Sequence, residues 1–243
     1  MSSFLDNMRA GRGRALSSGP TAGPNQTLRL GDARGQAAVV VPLFVGTKPG
    51  ERQAGEHDHD DAQDALRVIL TQRAFTLRSH PGETAFPGGR LDESESVVQA
   101  AMREFHEELG VDLHALIGEG KAEILAVLDP LLSKHLLSVT PIIVFLSDVR
   151  GLSDLDLRVN RDEVAAVYTA PMDLFLGRDG YECYDVDGGE GRAQAVRVHS
   201  WTYAAGDAEP SDAGDVFRIW GLTAWILIHV AMMALDAEAG FDV

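Results

Sequence analysis

Glu104, Glu107 and Glu108 sit together in Arg103-Glu-Phe-His-Glu-Glu-Leu-Gly110, one turn of a predicted helix just before a helix-stopping glycine. Like charges at helical spacing destabilise an isolated helix. A chain that keeps them there is suited to holding a cation. Oxygen-only ligation fits a hard divalent ion such as Mg²⁺, which takes few carboxylates and shares its shell with water and substrate phosphates. The plainer alternative is a solvated acidic face, and three glutamates alone leave that alternative favoured.

The surrounding residues specify how these carboxylates are presented. Asp92 and Glu95 stand in a capping-box relation, with Asp in place of the usual Ser or Thr. Gly110 suits a left-handed C-cap. At about 100° per residue Glu104 and Glu108 lie about 40° apart, with Glu107 about 60° to the other side. Val98, Met102, Phe105 and Leu109 gather on a separate apolar stripe that can face a core.

The full pattern extends further. Gly89 is followed after five residues by Glu95, after seven more by Arg103-Glu104, then by Phe105, Glu107-Glu108, Gly110 and Val111. This resembles the signature of the Nudix hydrolases at every specified position. Those enzymes cleave a nucleoside diphosphate linked to another group, using Mg²⁺ or Mn²⁺. The resemblance implies metal-ligand roles for Glu104, Glu107 and Glu108, and a supporting pair in Glu95 and Arg103. It also implies an α/β fold, an α/β/α sandwich with a mixed β-sheet.

Upstream run Leu70-Thr-Gln-Arg73, Leu77-Arg-Ser-His-Pro-Gly-Glu83 and Phe86-Pro-Gly-Gly89. These resemble the motif that precedes the Nudix box in coenzyme A pyrophosphatases, with Ala74 where serine is common. Val139-Thr-Pro141, Ile219-Trp-Gly-Leu-Thr-Ala224 and Asn160-Arg-Asp-Glu-Val164 look like the same branch, Arg161 replacing a proline. The implied substrate is coenzyme A or a derivative, split into 3′,5′-ADP and 4′-phosphopantetheine or its acyl form.

The chain has 243 residues, a formal charge of −16 and a single cysteine, Cys183. That length suits one generous domain with a sizeable core. An acidic chain without a basic stripe is a poor nucleic-acid binder. It also repels a polyanionic substrate at long range, so a local basic patch must attract it. Arg73, Arg78 and His80 could be that patch, since the guanidinium fork suits phosphate oxygens. Structural ion pairs with Glu83 or Asp92 are the alternative for the arginines. Phe86 joins the substrate contacts by the motif match. Gly82, Gly88 and Gly89 let the backbone turn beside the site. Cys183 cannot form an internal disulfide and reads as a loop thiol.

Residues 1 to 35, rich in Gly, Ser, Ala and Arg, predict a disordered N-terminal extension; residues 36–243 form the domain. No long apolar core follows the arginines, so no secretory signal is expected. A cytoplasmic setting follows, with a mitochondrial presequence left open. Strands are predicted at Ala37 to Val45, Leu66 to Leu70, Ile124 to Leu128, Leu137 to Leu146, Glu163 to Thr169 and Ala195 to Tyr203, with a short helix over Pro171 to Leu176. Gly177 to Gln194 reads as turn-rich. His57-Asp-His-Asp-Asp61 reads as a solvated loop segment rather than a metal site. Phe217 to Leu235 is the most apolar stretch. Arg218, Gly221 and His229 argue for a buried closing helix over a membrane span, with a homodimer contact second.

Glu104 and Glu108 are therefore expected to anchor the main ion and Glu107 to share a second. Glu163 is the leading candidate for a general base, against an exposed carboxylate at a strand start. Two other readings stay open: a Nudix enzyme for ADP-ribose, a dinucleotide or a damaged nucleoside triphosphate, and a non-catalytic nucleotide sensor.

Overall fold

The computed structural model describes residues 5–6, 33–46, 64–186, 196–209 and 215–243. Its centre is a mixed eight-stranded sheet. Strand β1 (Gly35–Gly46) runs parallel to β7 (Leu137–Leu146), from Gly35 opposite Leu137 to Leu43 opposite Phe145. β5 (Ala122–Val127) and the short β6 (Leu131–Leu132) lie antiparallel to β7. On its other edge β1 is shared. β4 (Gly88–Arg90) pairs with Ala37, Ala38 and Val39, whereas β2 (Ala65–Arg73) pairs with Leu43 to Gly46. β2 in turn holds β3 (Thr84–Ala85) and β8 (Val164–Pro171), both antiparallel.

Both faces of this sheet are covered, so its central strands read as unbroken apolar runs. The two-residue period shares them between two cores. Ala38, Val40 and Phe44 of β1 join Ile142, Val144 and Leu146 of β7 on one face. Val41 and Leu43 join Ile143 and Phe145 on the other. The first face is closed by helices α1 (Val97–Leu109) and α2 (Leu113–Gly118), through Ala100, Ala101, Phe105, Leu109 and Leu113. The second is closed by helix α3 (Gly221–Leu235), a 3₁₀ turn at Met172–Leu176 and an antiparallel three-stranded sheet. That sheet comprises β9 (Tyr181–Val186), β10 (Val196–Ala204) and β11 (Val216–Trp220), with β10 in the middle. The architecture is thus an α/β sandwich with an added small sheet on one side.

Several sequence expectations are corrected. Helix α1 starts at Val97, not at Asp92. Its N-cap is Ser96, whose hydroxyl accepts from the Gln99 N–H at 3.3 Å while the Gln99 side chain accepts from the Ser96 N–H at 3.0 Å. A serine box outcompetes the aspartate one because it sits immediately before the apolar stripe. The stretch read as turns from Gly177 contains β9, and exposed Cys183 lies in that strand rather than in a loop. Phe217 to Leu235 is not one helix. Gly221 takes φ +64° and breaks it into β11 and α3. α3 is apolar all round and buried, and among the described residues no helix is long and apolar enough to cross a membrane. The His57 to Asp61 cluster and most of residues 1–35 lie outside the described residues, although Leu5 packs against the second core.

Candidate active site

A cavity of about 790 Å³ opens where β1, β4, the C-terminal turn of α1, the small sheet and the start of α3 meet. Glu104, Glu108 and Glu163 line it together with Gly88 and Gly89. Its geometry begins with the two glycines. Gly88 takes φ +150°, and a Cβ there would stand 2.3 Å from the Ala38 carbonyl oxygen, so only glycine lets β4 lie this close to β1. A Cβ on Gly89 would stand 2.4 Å from the Glu104 carboxyl group. The bare backbone at Gly89 is thus the seat of that carboxylate.

Arg103 organises the surrounding loop. Its Nε and Nη2 donate to the two oxygens of Glu95 at 2.9 and 3.0 Å, a bidentate pair. Nη2 also donates to the Arg90 carbonyl at 3.0 Å, tying β4 to α1. Nη1 reaches Glu104 at 2.9 Å and Glu107 at 3.0 Å. The bond from Arg103 and a second from the Asp92 N–H hold the Glu95 carboxyl below the usual range. Glu95 also fixes the loop, accepting from the Asp92 N–H at 3.0 Å. One guanidinium therefore joins strand, loop and acidic helix.

The carboxylates differ sharply in environment. Glu108 is 5% exposed, and the Gly88 N–H donates to it at 3.3 Å. Burial, and then the neighbouring charge of Glu104, push it up to about 8. Glu104 is also raised, mainly by burial, with the Arg103 bond opposing. Glu107 is half exposed, faces Arg103 and does not line the cavity. Glu163 comes from 55 residues beyond Glu108 in the chain by a defined route. Gly110 caps α1 in the left-handed region at φ +75°, and the following chain returns to satisfy the helix end. The Arg158 N–H donates to Leu109 O at 2.8 Å and the Asn160 N–H to Glu108 O at 2.9 Å. The turn from Asn160 then sets Glu163 beside β2, its carbonyl accepting from the Ala74 N–H at 2.8 Å. Its charge acts on both Glu104 and Glu108.

The other expected contacts divide. Arg73 lines the cavity, and its charge acts on Glu108. His80 lines it too, with Nδ1 2.6 Å from a Glu83 oxygen. Phe86 is buried, contributing both to the core and to the cavity wall. Arg78 is exposed and does not line the cavity. Conversely, Arg90, Lys134, His135, Tyr184 and Trp220 line it, and sequence reasoning did not single them out. Trp220 was within the quoted Ile219 to Ala224 segment. Lys134 and His135 carried no signal, because only the pairing of β6 with β7 brings their turn here.

The profile of the NUDIX domain family matches residues 57–182, which include Gly89, Arg103, Glu104, Glu108 and Glu163. The chain belongs to the Nudix family. Among its Nudix relatives, "Nudix hydrolase 15, mitochondrial" of Arabidopsis thaliana is 33% identical over 207 residues, 85% of this chain and 61% of that protein. "Nudix hydrolase 3" of Caenorhabditis elegans is 30% identical over 225 residues, 92% of this chain and 82% of that one. The "Uncharacterized Nudix hydrolase NudL" of Photorhabdus laumondii is 32% identical over 209 residues, 86% and 89% of the two chains. The chain spans 61% of the length of that first Arabidopsis protein and 57% of a second, "Nudix hydrolase 22, chloroplastic".

Proposed function

We propose that this chain is a divalent-metal-dependent pyrophosphohydrolase that cleaves the diphosphate of coenzyme A or a derivative, giving 3′,5′-ADP and 4′-phosphopantetheine or its acyl form. One observation carries the hydrolytic part: buried Glu108, partly buried Glu104 and exposed Glu163 line one cavity, with Arg73 as a cation acting on Glu108. Such a cluster is costly unless a cation enters it. The donor set is oxygen-only, which fits Mg²⁺ or Mn²⁺. As the side chains stand, no three His, Cys, Asp or Glu groups converge on one point among the described residues, Glu107 being drawn outward by Arg103. Glu104 and Glu108 are therefore the principal holders, and Glu107 serves only on leaving Arg103. When bound, the ion polarises phosphoryl oxygens and lowers the pKa of water.

The chain's own residues then divide the work. Glu163 accepts the proton of the water that attacks phosphorus. Arg73 receives the negative charge of the diphosphate oxygens as the anhydride P–O bond breaks. Gly89 leaves room for the Glu104 carboxylate, and Arg103 fixes its direction through Glu95 and the Arg90 carbonyl. The coenzyme A assignment rests on the Leu70 to Gly89 motif and on a cavity that combines cations with apolar residues from β9, β10 and α3. Purified protein incubated with Mg²⁺ or Mn²⁺ and coenzyme A, ADP-ribose and a diadenosine polyphosphate, with products separated by ion-pair chromatography, tests it. Release of 3′,5′-ADP at the highest kcat/KM of the panel is expected. Coenzyme A left intact while ADP-ribose disappears would overturn the substrate assignment, and binding without turnover of any compound would overturn the enzymatic one.

A further inference from the structure

Two imidazoles meet at this cavity from separate loops. His80 belongs to the turn between β2 and β3 and takes φ +55°, a region that non-glycine residues seldom occupy. The turn is held by the Glu83 N–H donating to His80 O at 3.3 Å and the Gly82 N–H donating to Arg73 O at 3.1 Å. His135 belongs to the tight turn between β6 and β7. There the Ser133 N–H donates to Leu137 O at 2.8 Å, the Leu136 N–H returns to Ser133 O at 3.0 Å, and Leu136 takes φ +61°. The rings stand edge to face, 4.8 Å between centroids at 76°. Beside them Lys134 holds its ammonium 5.1 Å from the Trp220 ring centroid. His80, Lys134 and His135 all line the cavity.

We infer that His80, Lys134 and His135 form a subsite for a phosphomonoester group that the substrate carries apart from its diphosphate. This rests on the coenzyme A reading, since that nucleotide bears such a group on its ribose. Three basic side chains converge on one part of the wall, although the chain as a whole carries −16. Glu83 engages His80 Nδ1, which leaves the Nε2 edge for a ligand. A bound dianion would accept from the Lys134 ammonium, a charge-assisted bond, and from ring N–H groups of the two imidazoles. Burial, and then the charges of His80 and Lys134, lower His135, with the charge of Glu83 opposing. The charges acting on Glu108 are Glu104, Arg73 and Glu163. One cavity therefore holds two clusters, one suited to the reacting diphosphate and one to a second phosphate.

The test is calorimetric titration of the full chain, without metal, at pH 6.5. The ligands are adenosine 3′,5′-bisphosphate and 5′-AMP, which differ by one phosphomonoester, with inorganic phosphate as a third. The proteins are wild type, Lys134→Gln and His135→Gln; both positions are exposed, so the fold is retained. The wild type should prefer the bisphosphate about tenfold, and each variant should reduce that ratio to about threefold or less while holding 5′-AMP unchanged. Inorganic phosphate, as the shared chemistry alone, should bind more weakly and compete with the bisphosphate. A wild-type ratio near one, or a ratio that both variants leave intact, overturns the subsite. The two readings fail separately. Coenzyme A cleaved with the ratio unmoved removes the subsite alone, whereas a ratio that collapses with coenzyme A uncut supports the subsite and removes the substrate assignment.

Discussion

Replacing Glu108 by glutamine should separate the electrostatic cost of this site from its catalytic use. Glu108 is buried, and its carboxyl rises from the usual 4.5 to about 8. Its folded-state pKa lies above the unfolded one, so without metal the folded protein binds the extra proton. The stability from that proton is complete below pH ~4.5 and is lost as pH climbs through about 8. Integrated between pH 5 and pH 8.5, the loss is about 4 kcal/mol, an upper figure because entering water screens the charge. For a chain of this size that corresponds to roughly 8–16 °C in Tm. Glu108→Gln keeps the volume and an oxygen for the Gly88 N–H but carries no charge. Thermal melts in EDTA across that pH range should therefore show wild type falling relative to the variant by up to this amount. Millimolar Mg²⁺ or Mn²⁺ should recover much of that loss in wild type and leave the variant almost unmoved, because an ion at about 100 Kd adds about 2.7 kcal/mol only where it binds. Turnover should fall by orders of magnitude. Parallel pH curves with equal metal response would refute the buried-charge reasoning.

The neighbouring glycines make a second, contrasting pair. Gly89→Ala meets the mobile end of Glu104, so melting should change by less than about 1 kcal/mol while kcat falls at least about tenfold. Gly88→Ala meets the Ala38 backbone at φ +150° and should instead destabilise by about 2–4 kcal/mol, read by urea melts. Glu95→Gln weakens the clamp on Arg103 and should lower kcat more than it raises KM; lost stability with unchanged kcat would assign the pair to the fold alone. Glu163→Gln should depress kcat far more than it changes KM, and an unchanged kcat would place the base elsewhere.

The acidic helix was legible because its information is local. Helical spacing put Glu104 and Glu108 together, and the apolar stripe through Phe105 and Leu109 oriented them without reference to the rest of the chain. The helix start was misplaced because Asp92-Glu95 and Ser96-Gln99 both satisfy the capping pattern, and only the Ser96 backbone geometry chooses between them. The sheet core was readable from β-branched runs, whereas β9 was not. It buries none of its residues, only Tyr181 and Tyr184 being even partly covered, and is a strand because β10 pairs with it. His135 and Lys134 were invisible for a similar reason. Their relation to His80, 55 residues away in sequence for His135, exists only after β6 folds onto β7. Glu163 was nameable by motif, but its nearness to Glu108 depends on backbone bonds from Arg158 and Asn160 to the end of α1.

Those backbone bonds have a further consequence. Because the end of the acidic helix is stitched to the segment that delivers Glu163, the carboxylates of the candidate site belong to one backbone-bonded unit. The opposing wall, made by β9, β10 and the first turn of α3, joins it without sharing any of that stitching. Under the proposed function, changes at Val186, Val196, Val198 and Leu222 could alter which leaving group fits while that unit stays as it is.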